Sequence, residues 1–286
     1  MKRREFITRT AMGIGAAWVG SRSLAGAFPA ATGRFSAADT VTLGNTGLRT
    51  SRLAMGTGTV GFAHHSDQSA LGVQGLADLL VNGYNNGLRF FDLADAYGSH
   101  PGAGAALKRI PREKVTVLTK SWTRDAAGLR ADLDRFRREL DTDYLDIMLM
   151  HCLTEKNWTT RFRGAMDVLS EAKEKGIIRA HGCSCHNLSA LREAAASPWV
   201  EVDLVRFNPI GSHMDADPAT VLSVIREMKA KGKAVVGMKI LGQGDMRNRV
   251  DEGLKHALSS GVLDAFTIGA ENIKEQEDLI RRIAAA

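Results

Sequence analysis

Cysteine is scarce in this chain of 286 residues, which contains only three, and none precedes Cys152. An odd number leaves at least one thiol unpaired, so a disulfide framework of the kind that holds small secreted domains is excluded. Cys183 and Cys185 are separated by one residue, and strain in so short a loop opposes a bridge between them. The lack of an early cysteine also excludes a lipoprotein attachment site near the amino terminus.

Long uninterrupted apolar segments are also missing. The weakly apolar run over residues 11–24 is too short to span a bilayer, and Arg22 interrupts it. A twin-arginine start, Arg3-Arg4, precedes this run, and an A-x-A cleavage pattern follows it at residues 25–27. The segment therefore has the parts of a twin-arginine (Tat) export signal rather than those of a membrane span.

We accordingly predict a Tat signal peptide over residues 1–27 and a polar linker over residues 28–40. Ala30-Ala31 offers an alternative cleavage site. This interpretation predicts recognition by the Tat export machinery, a periplasmic location and no stable membrane anchor. An anchored N-terminal helix or a cytoplasmic amphipathic tail is the alternative.

A strong excess of charge is lacking once this segment is set aside. The full chain carries a formal net charge of +6, but residues 1–27 hold five basic residues and only one acidic residue. The remaining chain is left with about +2. Proteins that bind nucleic acids usually carry a basic patch or stripe, so this small net charge argues against a nucleic-acid partner.

What the chain does contain is a regular alternation of strand and helix patterns from residue 41 to the end. Two short extended pieces flank residues 45–47 and predict an N-terminal β-hairpin. Eight apolar strands, each followed by a helical pattern, then predict an α/β fold, a single (β/α)8 TIM barrel over residues 41–286. The predicted barrel strands are 53–56, 89–92, 115–120, 144–151, 178–184, 202–208, 234–239 and 266–269.

Polar side chains stand at the ends of three successive strands. Asp92, Lys120 and His151 end predicted strands, and Tyr97 follows Asp92 in a turn-like stretch. The carboxyl ends of barrel strands form the reaction face, so we expect these four side chains to meet there. The alternative for the first pair is structural, with Asp92 capping the next helix and Tyr97 packing beside it.

This set suits protonation of a carbonyl oxygen. A free tyrosine titrates near ~10 and holds its proton too tightly to be an efficient acid at neutral pH. The Lys120 ammonium is expected to lower the pKa of Tyr97, and Asp92 to fix the lysine in place. His151 would then hold the oxygen of a carbonyl substrate while hydride arrives at its carbon.

A metal site is a competing interpretation of Cys183-Ser184-Cys185-His186, because thiolates and imidazole are zinc ligands. No second ligand cluster stands at a suitable spacing, so the sequence favours no metal.

The chain resembles the aldo-keto reductase family over essentially its whole length after the predicted signal. The motifs that carry the resemblance are the Leu43-Gly44-Asn45-Thr46-Gly47-Leu48 hairpin, residues 87–98 with Asp92 and Tyr97, Leu118-Thr119-Lys120, Leu149-Met150-His151 and Gly182-Cys183-Ser184. The resemblance implies that Asp92, Tyr97, Lys120 and His151 are catalytic, with Tyr97 as general acid/base. It also implies an NAD(P)-dependent oxidoreductase acting on a small aldehyde, ketone or sugar-like carbonyl, or the corresponding alcohol.

By the same resemblance the cofactor is NADP, with NAD as the alternative, bound without a Rossmann domain. The missing G-x-G-x-x-G opening a βαβ unit is then expected. The positions that the resemblance assigns to the cofactor are Ser184, Cys185, Leu204, Met238, Lys239, Gly269 and Glu271.

Several of these positions carry residue types that are uncommon in the family. Cys185 and Leu204 stand where carboxamide-binding Asn and Gln are common, and Met238 stands where an aromatic ring often stacks. These departures motivate a second hypothesis, a catalytically weak nucleotide-binding or sensing module. Glu271 lies near the expected 2′-phosphate position, where a cation is required. Arg281 and Arg282 would substitute from the last helix, unless they form a solvated face.

Overall fold

The computed structural model describes residues 35–286, and eight parallel strands in this part of the chain close into a barrel. The predicted (β/α)8 barrel with an N-terminal hairpin is thereby confirmed. The predicted signal peptide lies outside the described residues. The strands, in chain order, are β1 Thr40–Thr42, β2 Arg49–Ser51, β3 Leu53–Gly56, β4 Phe90–Asp92, β5 Thr116–Ser121, β6 Leu145–Leu153, β7 Ile178–Cys185, β8 Val202–Arg206, β9 Ala234–Met238 and β10 Ala265–Gly269.

Strands β3 to β10 follow one another around the barrel, and β10 pairs with β3 to close it. Helices cover the outside. Within residues 35–286, no helix is both long and apolar enough to cross a bilayer. The helices are α1 Gly72–Asn85, α2 His100–Leu107, α3 Ala126–Leu140, α4 Trp158–Arg161, α5 Arg163–Glu174, α6 Leu188–Ala196, α7 Pro218–Ala230, α8 Val250–Ser259 and α9 Ile273–Ala285.

Side-chain alternation divides the apolar residues into two cores. In β6, Ile147 and Leu149 belong to the cluster inside the barrel, whereas Met148 and Met150 pack into the larger cluster beneath the helices. Successive residues of a strand point to opposite faces. The same rule decides which residue at each strand end can reach the barrel mouth.

Polar caps begin four of the helices that follow barrel strands. In each case a side-chain oxygen accepts a backbone N–H that the first helical turn leaves without a partner. The caps are Asp125 on α3, Asn187 on α6, Asp217 on α7 and Asn272 on α9. These caps fix where each chain segment turns from the mouth into its helix.

The hairpin of β1 and β2 lies against the other end of the barrel. Leu43 is fully buried in the interior cluster, and the Asn45 N–H donates to the Gly232 carbonyl oxygen at 2.8 Å. Gly44 has φ +47°, and an added Cβ there would lie 2.4 Å from the Ala234 nitrogen. Residues 35–39 also dock on the barrel, since the Leu53 N–H donates to the Ala37 carbonyl oxygen at 3.0 Å.

A pair of glycine substitutions measures this close approach. Gly47 also has a positive φ, +75°, but an added Cβ there meets nothing within 4 Å. We expect Gly47→Ala to cost only the left-handed backbone penalty, roughly 1–2 kcal/mol. Gly44→Ala should cost ~1–3 kcal/mol more because the methyl group collides with rigid backbone. Urea unfolding of both variants gives the comparison, and equal losses would contradict the close packing of the hairpin.

Candidate active site

The four residues expected to meet do come together at one mouth of the barrel. Asp92 is the last residue of β4, Lys120 lies near the end of β5, and His151 lies near the end of β6. Tyr97 ends a short 3-10 turn, Asp95–Tyr97, that follows β4. Their roles in catalysis remain predictions, but the geometry places them within one cluster.

Lys120 and Asp92 form a buried ion pair at the base of the cluster. Lys120 Nζ donates to Asp92 Oδ1 at 2.5 Å and to the Leu93 carbonyl oxygen at 2.7 Å. The lysine side chain is fully buried. Burial lowers the pKa of Lys120, and the contact with Asp92 acts in the opposite direction. The carboxylate therefore fixes the lysine instead of capping the next helix.

Tyr97 lies directly above this pair. Lys120 Nζ is 4.7 Å from the centre of the Tyr97 ring, and Tyr97 Oη is 3.4 Å from His151 Nε2. Gly58 and Gly61 leave room for the ring, because a Cβ on either would lie 2.3 or 2.4 Å from its carbons. The tyrosine hydroxyl and the imidazole thus face one point in the mouth.

The turn that carries Tyr97 is anchored from α3. Arg135 donates from both terminal nitrogens to the two carboxylate oxygens of Asp95, at 2.7 and 2.9 Å. Such a two-point contact fixes direction as well as distance. The arginine thus holds the backbone two residues before Tyr97.

The expected direction of the Tyr97 pKa is wrong for this structure. Burial raises the pKa of Tyr97 well above its ordinary value of 10.0, and the negative charge of Asp92 and the Cys152 sulfur add to the increase. Lys120 is near, but its charge is compensated by Asp92. Tyr97 therefore keeps its proton at neutral pH.

His151 is a neutral imidazole at physiological pH. Burial holds its pKa well below 6.5, and the positive charge of Lys120 acts in the same direction. Its Nδ1 is buried and has no hydrogen-bond partner among residues 35–286. Its Nε2 faces the Tyr97 hydroxyl, so both groups can form a hydrogen bond to the same atom of a bound molecule.

The residues predicted to hold a cofactor lie around the same mouth, with one exception. Ser184 on β7 is paired in register with Leu204 on β8, and Met238 ends β9 beside them. Lys239 follows with φ +54° and donates to Gln243 Oε1 at 3.0 Å. Gly269 ends β10, and Glu271 is exposed just beyond it.

Cys185 is the exception, because its side chain faces the layer beneath the helices. Its Sγ lies 3.8 Å from Cys183 Sγ and 3.8 Å from Asp203 Oδ2, and all three residues are buried. Ser184 lies between the two cysteines and points inward, as strand alternation requires. The predicted cofactor contact by the Cys185 side chain does not fit this position. His186 contacts Cys152 and does not join the cysteine pair, so the competing Cys-x-Cys-His interpretation has no geometric support.

Sequence reasoning missed a second polar pair at the mouth. Cys152 Sγ lies 2.9 Å from His186 Nδ1, and the Cys152 N–H donates to Ser184 Oγ at 2.9 Å. Cys152 adopts φ +59° at an irregularity in the pairing of β6 with β7. Such irregularities re-aim a side chain, and nothing in the strand's apolar pattern indicates this one.

Arg124 and Trp122, in the segment after β5, were also missed. Arg124 donates to the His151 carbonyl oxygen, and the Trp122 and His151 rings are 5.6 Å apart. Trp122 also meets the exposed Phe62 ring at 6.3 Å. Both residues lie beyond the last residue of β5, where strand alternation no longer applies, so their approach to the mouth was not predictable.

Two relatives with reductase names match parts of this chain. It is 28% identical over 191 residues to the NADH-specific methylglyoxal reductase of Escherichia coli, a match covering 58% of this chain and 57% of that protein. It is 32% identical over 83 residues, 26% of each protein, to the NADPH-dependent D-xylose reductase of Meyerozyma guilliermondii. The chain thus spans about half the length of the first relative and about a quarter of the second.

A solved structure shares the fold over nearly the whole barrel. The holo form of an aldo-keto reductase from Bacillus halodurans superimposes with a TM-score of 0.69 at 17% sequence identity. The alignment covers 87% of this chain and 91% of that one.

A family profile also matches most of the chain. The profile of the aldo/keto reductase family matches residues 52–271, a range that includes all eight barrel strands and every predicted site residue. Together with the barrel and the cluster at its mouth, this match shows that the chain belongs to the aldo/keto reductase family.

Proposed function

We propose that this protein is an NAD(P)-dependent oxidoreductase that reduces a carbonyl substrate, with Tyr97 as the general acid. One observation carries the proposal, namely the convergence of Tyr97 Oη and His151 Nε2 over the buried Lys120–Asp92 pair. A carbonyl oxygen placed between the two groups would accept hydrogen bonds from both. Hydrogen-bond donors aimed at developing negative charge are a major source of catalytic power.

Protonation states support the direction of reduction. Tyr97 is protonated at neutral pH, which is the form that donates a proton to the oxygen as it becomes an alkoxide. Neutral His151 orients the carbonyl without competing for that proton. Lys120, held by Asp92, lies against the Tyr97 ring and keeps it in place for this transfer. For alcohol oxidation the same residues would act in reverse.

The residues at the mouth fit a nicotinamide dinucleotide, which when bound would supply the hydride. Ser184 Oγ accepts the Cys152 N–H but donates to no acceptor within residues 35–286, so its proton is available for a carboxamide oxygen. Lys239 has no carboxylate within ion-pair distance in the same part of the chain and suits a phosphate. Leu204 and Met238 provide an apolar wall between them.

We assign NADP as the cofactor, with NAD as the alternative. Arg281 and Arg282 form ion pairs with Asp278, and Arg282 also pairs with Asp251, so neither is free to bind a 2′-phosphate. Lys274, in the first turn of α9, has no ion-pair partner among the described residues and is the available cation. Exposed Glu271 opposes it. The preference for NADP over NAD should therefore be small.

We further propose that the substrate is a small aldehyde, ketone or sugar-like carbonyl compound, entering past the exposed Phe62 and Trp122 rings. The methylglyoxal and D-xylose reductases among the relatives are consistent with this class. Export to the periplasm also remains a proposal, supported by the twin-arginine pattern of residues 1–27. The Tat route carries folded proteins, so the dinucleotide would travel bound.

Replacing Tyr97 with Phe removes only the hydroxyl group. We expect turnover of an aldehyde to fall by ~10²–10⁴-fold, the range for a positioned acid. Folding and NADPH binding should change little because the ring still fills the space beside Gly58 and Gly61. Steady-state kinetics and cofactor fluorescence measure the two effects. Tyr84→Phe, on the outer helix α1, is the matched control, and near-normal turnover by Tyr97→Phe would exclude the mechanism.

The pH profile of reduction tests the two shifted pKa values. His151 charges only well below pH 6.5, and Tyr97 ionises only above 10. We therefore expect kcat/KM for carbonyl reduction to stay nearly constant between about pH 6 and 8. Activity should be lost on the acid side when His151 is protonated and on the alkaline side when Tyr97 is ionised. A tenfold fall per pH unit centred near 6.5 would show that His151 titrates normally, against this assignment.

One preparation tests both retained cofactor and location. Protein recovered from the periplasmic fraction is denatured, and released nucleotides are identified by mass spectrometry. We expect a dinucleotide, with NADP more abundant than NAD by a small factor. Absence of the protein from that fraction would contradict export. Recovery without nucleotide, together with no binding of either cofactor in solution, would contradict the assignment of an NAD(P) cofactor.

A further inference from the structure

Arg124 carries a positive charge at the mouth, and no acidic side chain in residues 35–286 forms an ion pair with it. Its guanidinium donates to the carbonyl oxygens of His151 and, at 3.4 Å, Ser121, and it lies 5.4 Å from the centre of the Phe162 ring. No carboxylate within residues 35–286 lies within ion-pair distance of it. Glu155 acts on it only through space, and that carboxylate is 3.9 Å from Arg161.

Other cations at this end of the barrel either form ion pairs or lie at the proposed cofactor site. Lys120 is paired with Asp92. Arg206 is paired with the buried Asp215 through two nitrogens. Lys239 also forms no ion pair within the part of the chain that the structure describes, but it follows β9, where the proposed function places the cofactor. Among the described residues, Arg124 is the cation beside His151, at the ends of β5 and β6, that has no carboxylate partner.

An unpaired and largely buried guanidinium is costly. Two carbonyl oxygens satisfy part of its five donors but none of its charge, and removal from water penalises the charged form. Burial accordingly lowers the pKa of Arg124. A planar carboxylate offers two oxygens in the geometry that a guanidinium matches best. A bound anion would therefore stabilise the charged form of Arg124.

We propose that Arg124 binds a carboxylate carried by the substrate, so that the preferred substrates are carbonyl acids rather than neutral carbonyl compounds. The substrate's carbonyl oxygen lies between Tyr97 and His151, and its carboxylate lies against Arg124. The apolar part between them packs on the rings of Trp122 and Phe62. This substrate class rests on the proposed reductase activity, because it concerns a second group of the same substrate.

Matched substrates test the assignment. The 3- and 4-carboxybenzaldehydes differ from their carboxamide counterparts mainly in charge, and their ring suits the aromatic rim. We expect the wild-type protein to give a higher kcat/KM with at least one carboxylate than with its amide. In Arg124→Met the ratio of the two values should fall about 10- to 100-fold, the effect of losing a hydrogen bond between charged groups. Arg124→Lys should keep part of the ratio.

Control variants distinguish direct binding of a carboxylate by Arg124 from effects of net charge or of structure. Arg226→Met removes one positive charge from the exposed face of α7 and should leave the ratio unchanged, since it tests steering by net charge. A purely structural role for Arg124, in joining the ends of β5 and β6, would lower both kcat/KM values equally. That equal loss, or a wild-type protein without preference for either carboxylate, overturns the proposal.

A binding measurement keeps the test independent of turnover. Quenching of tryptophan fluorescence by benzoate and by benzamide compares the same charge difference without any reaction. Tighter binding of benzoate that is lost in Arg124→Met supports the carboxylate site even if no aldehyde is reduced, in which case only the reductase activity fails. Equal binding of benzoate and benzamide by the wild-type protein overturns the site.

Discussion

The buried pair of Lys120 and Asp92 is the interaction on which the mouth depends. The two residues come from adjacent strands, β5 and β4, whose registers bring their ends together. Breaking such a pair by removing one partner typically costs about 3–5 kcal/mol, because it leaves an uncompensated buried charge. The pair fixes the ammonium below the Tyr97 ring, and Arg135 fixes the turn above it. Together these contacts hold Lys120 and the turn that carries Tyr97 in place at the barrel mouth.

Much of this arrangement was predictable because it follows from periodicity. Strand alternation placed Lys120 and His151 on the inner face, and the barrel rule placed their ends at one mouth. Pro218 after Asp217 marked the start of α7, which the structure confirms with an Asp217 cap. These signals are local and need no knowledge of how distant segments pack.

What escaped prediction depends on distant packing. The pKa of Tyr97 rises because loops bury it, and the sequence gives no measure of that burial. The outward direction of Cys185 is different, because β7 extends through Cys185 and strand alternation then opposes it to the inward Ser184. The contact of Cys152 with His186 requires an irregular β6, and Arg124 reaches His151 from a loop. Neither Cys152 nor Arg124 belongs to a periodic apolar pattern that would indicate where its side chain lies.

The outward direction of the two β7 cysteines has a consequence for redox chemistry. Thiol–disulfide exchange and oxidation start from an accessible thiolate. Cys183 and Cys185 are fully buried, and burial raises the pKa of the Cys183 thiol to about 11 and that of Cys185 well above 9.0. Both sulfurs are thus shielded from oxidants and thiol reagents in the folded protein. Cys152, half-buried at the mouth, is the most accessible thiol of the three, so an oxidant would react first beside the candidate active site.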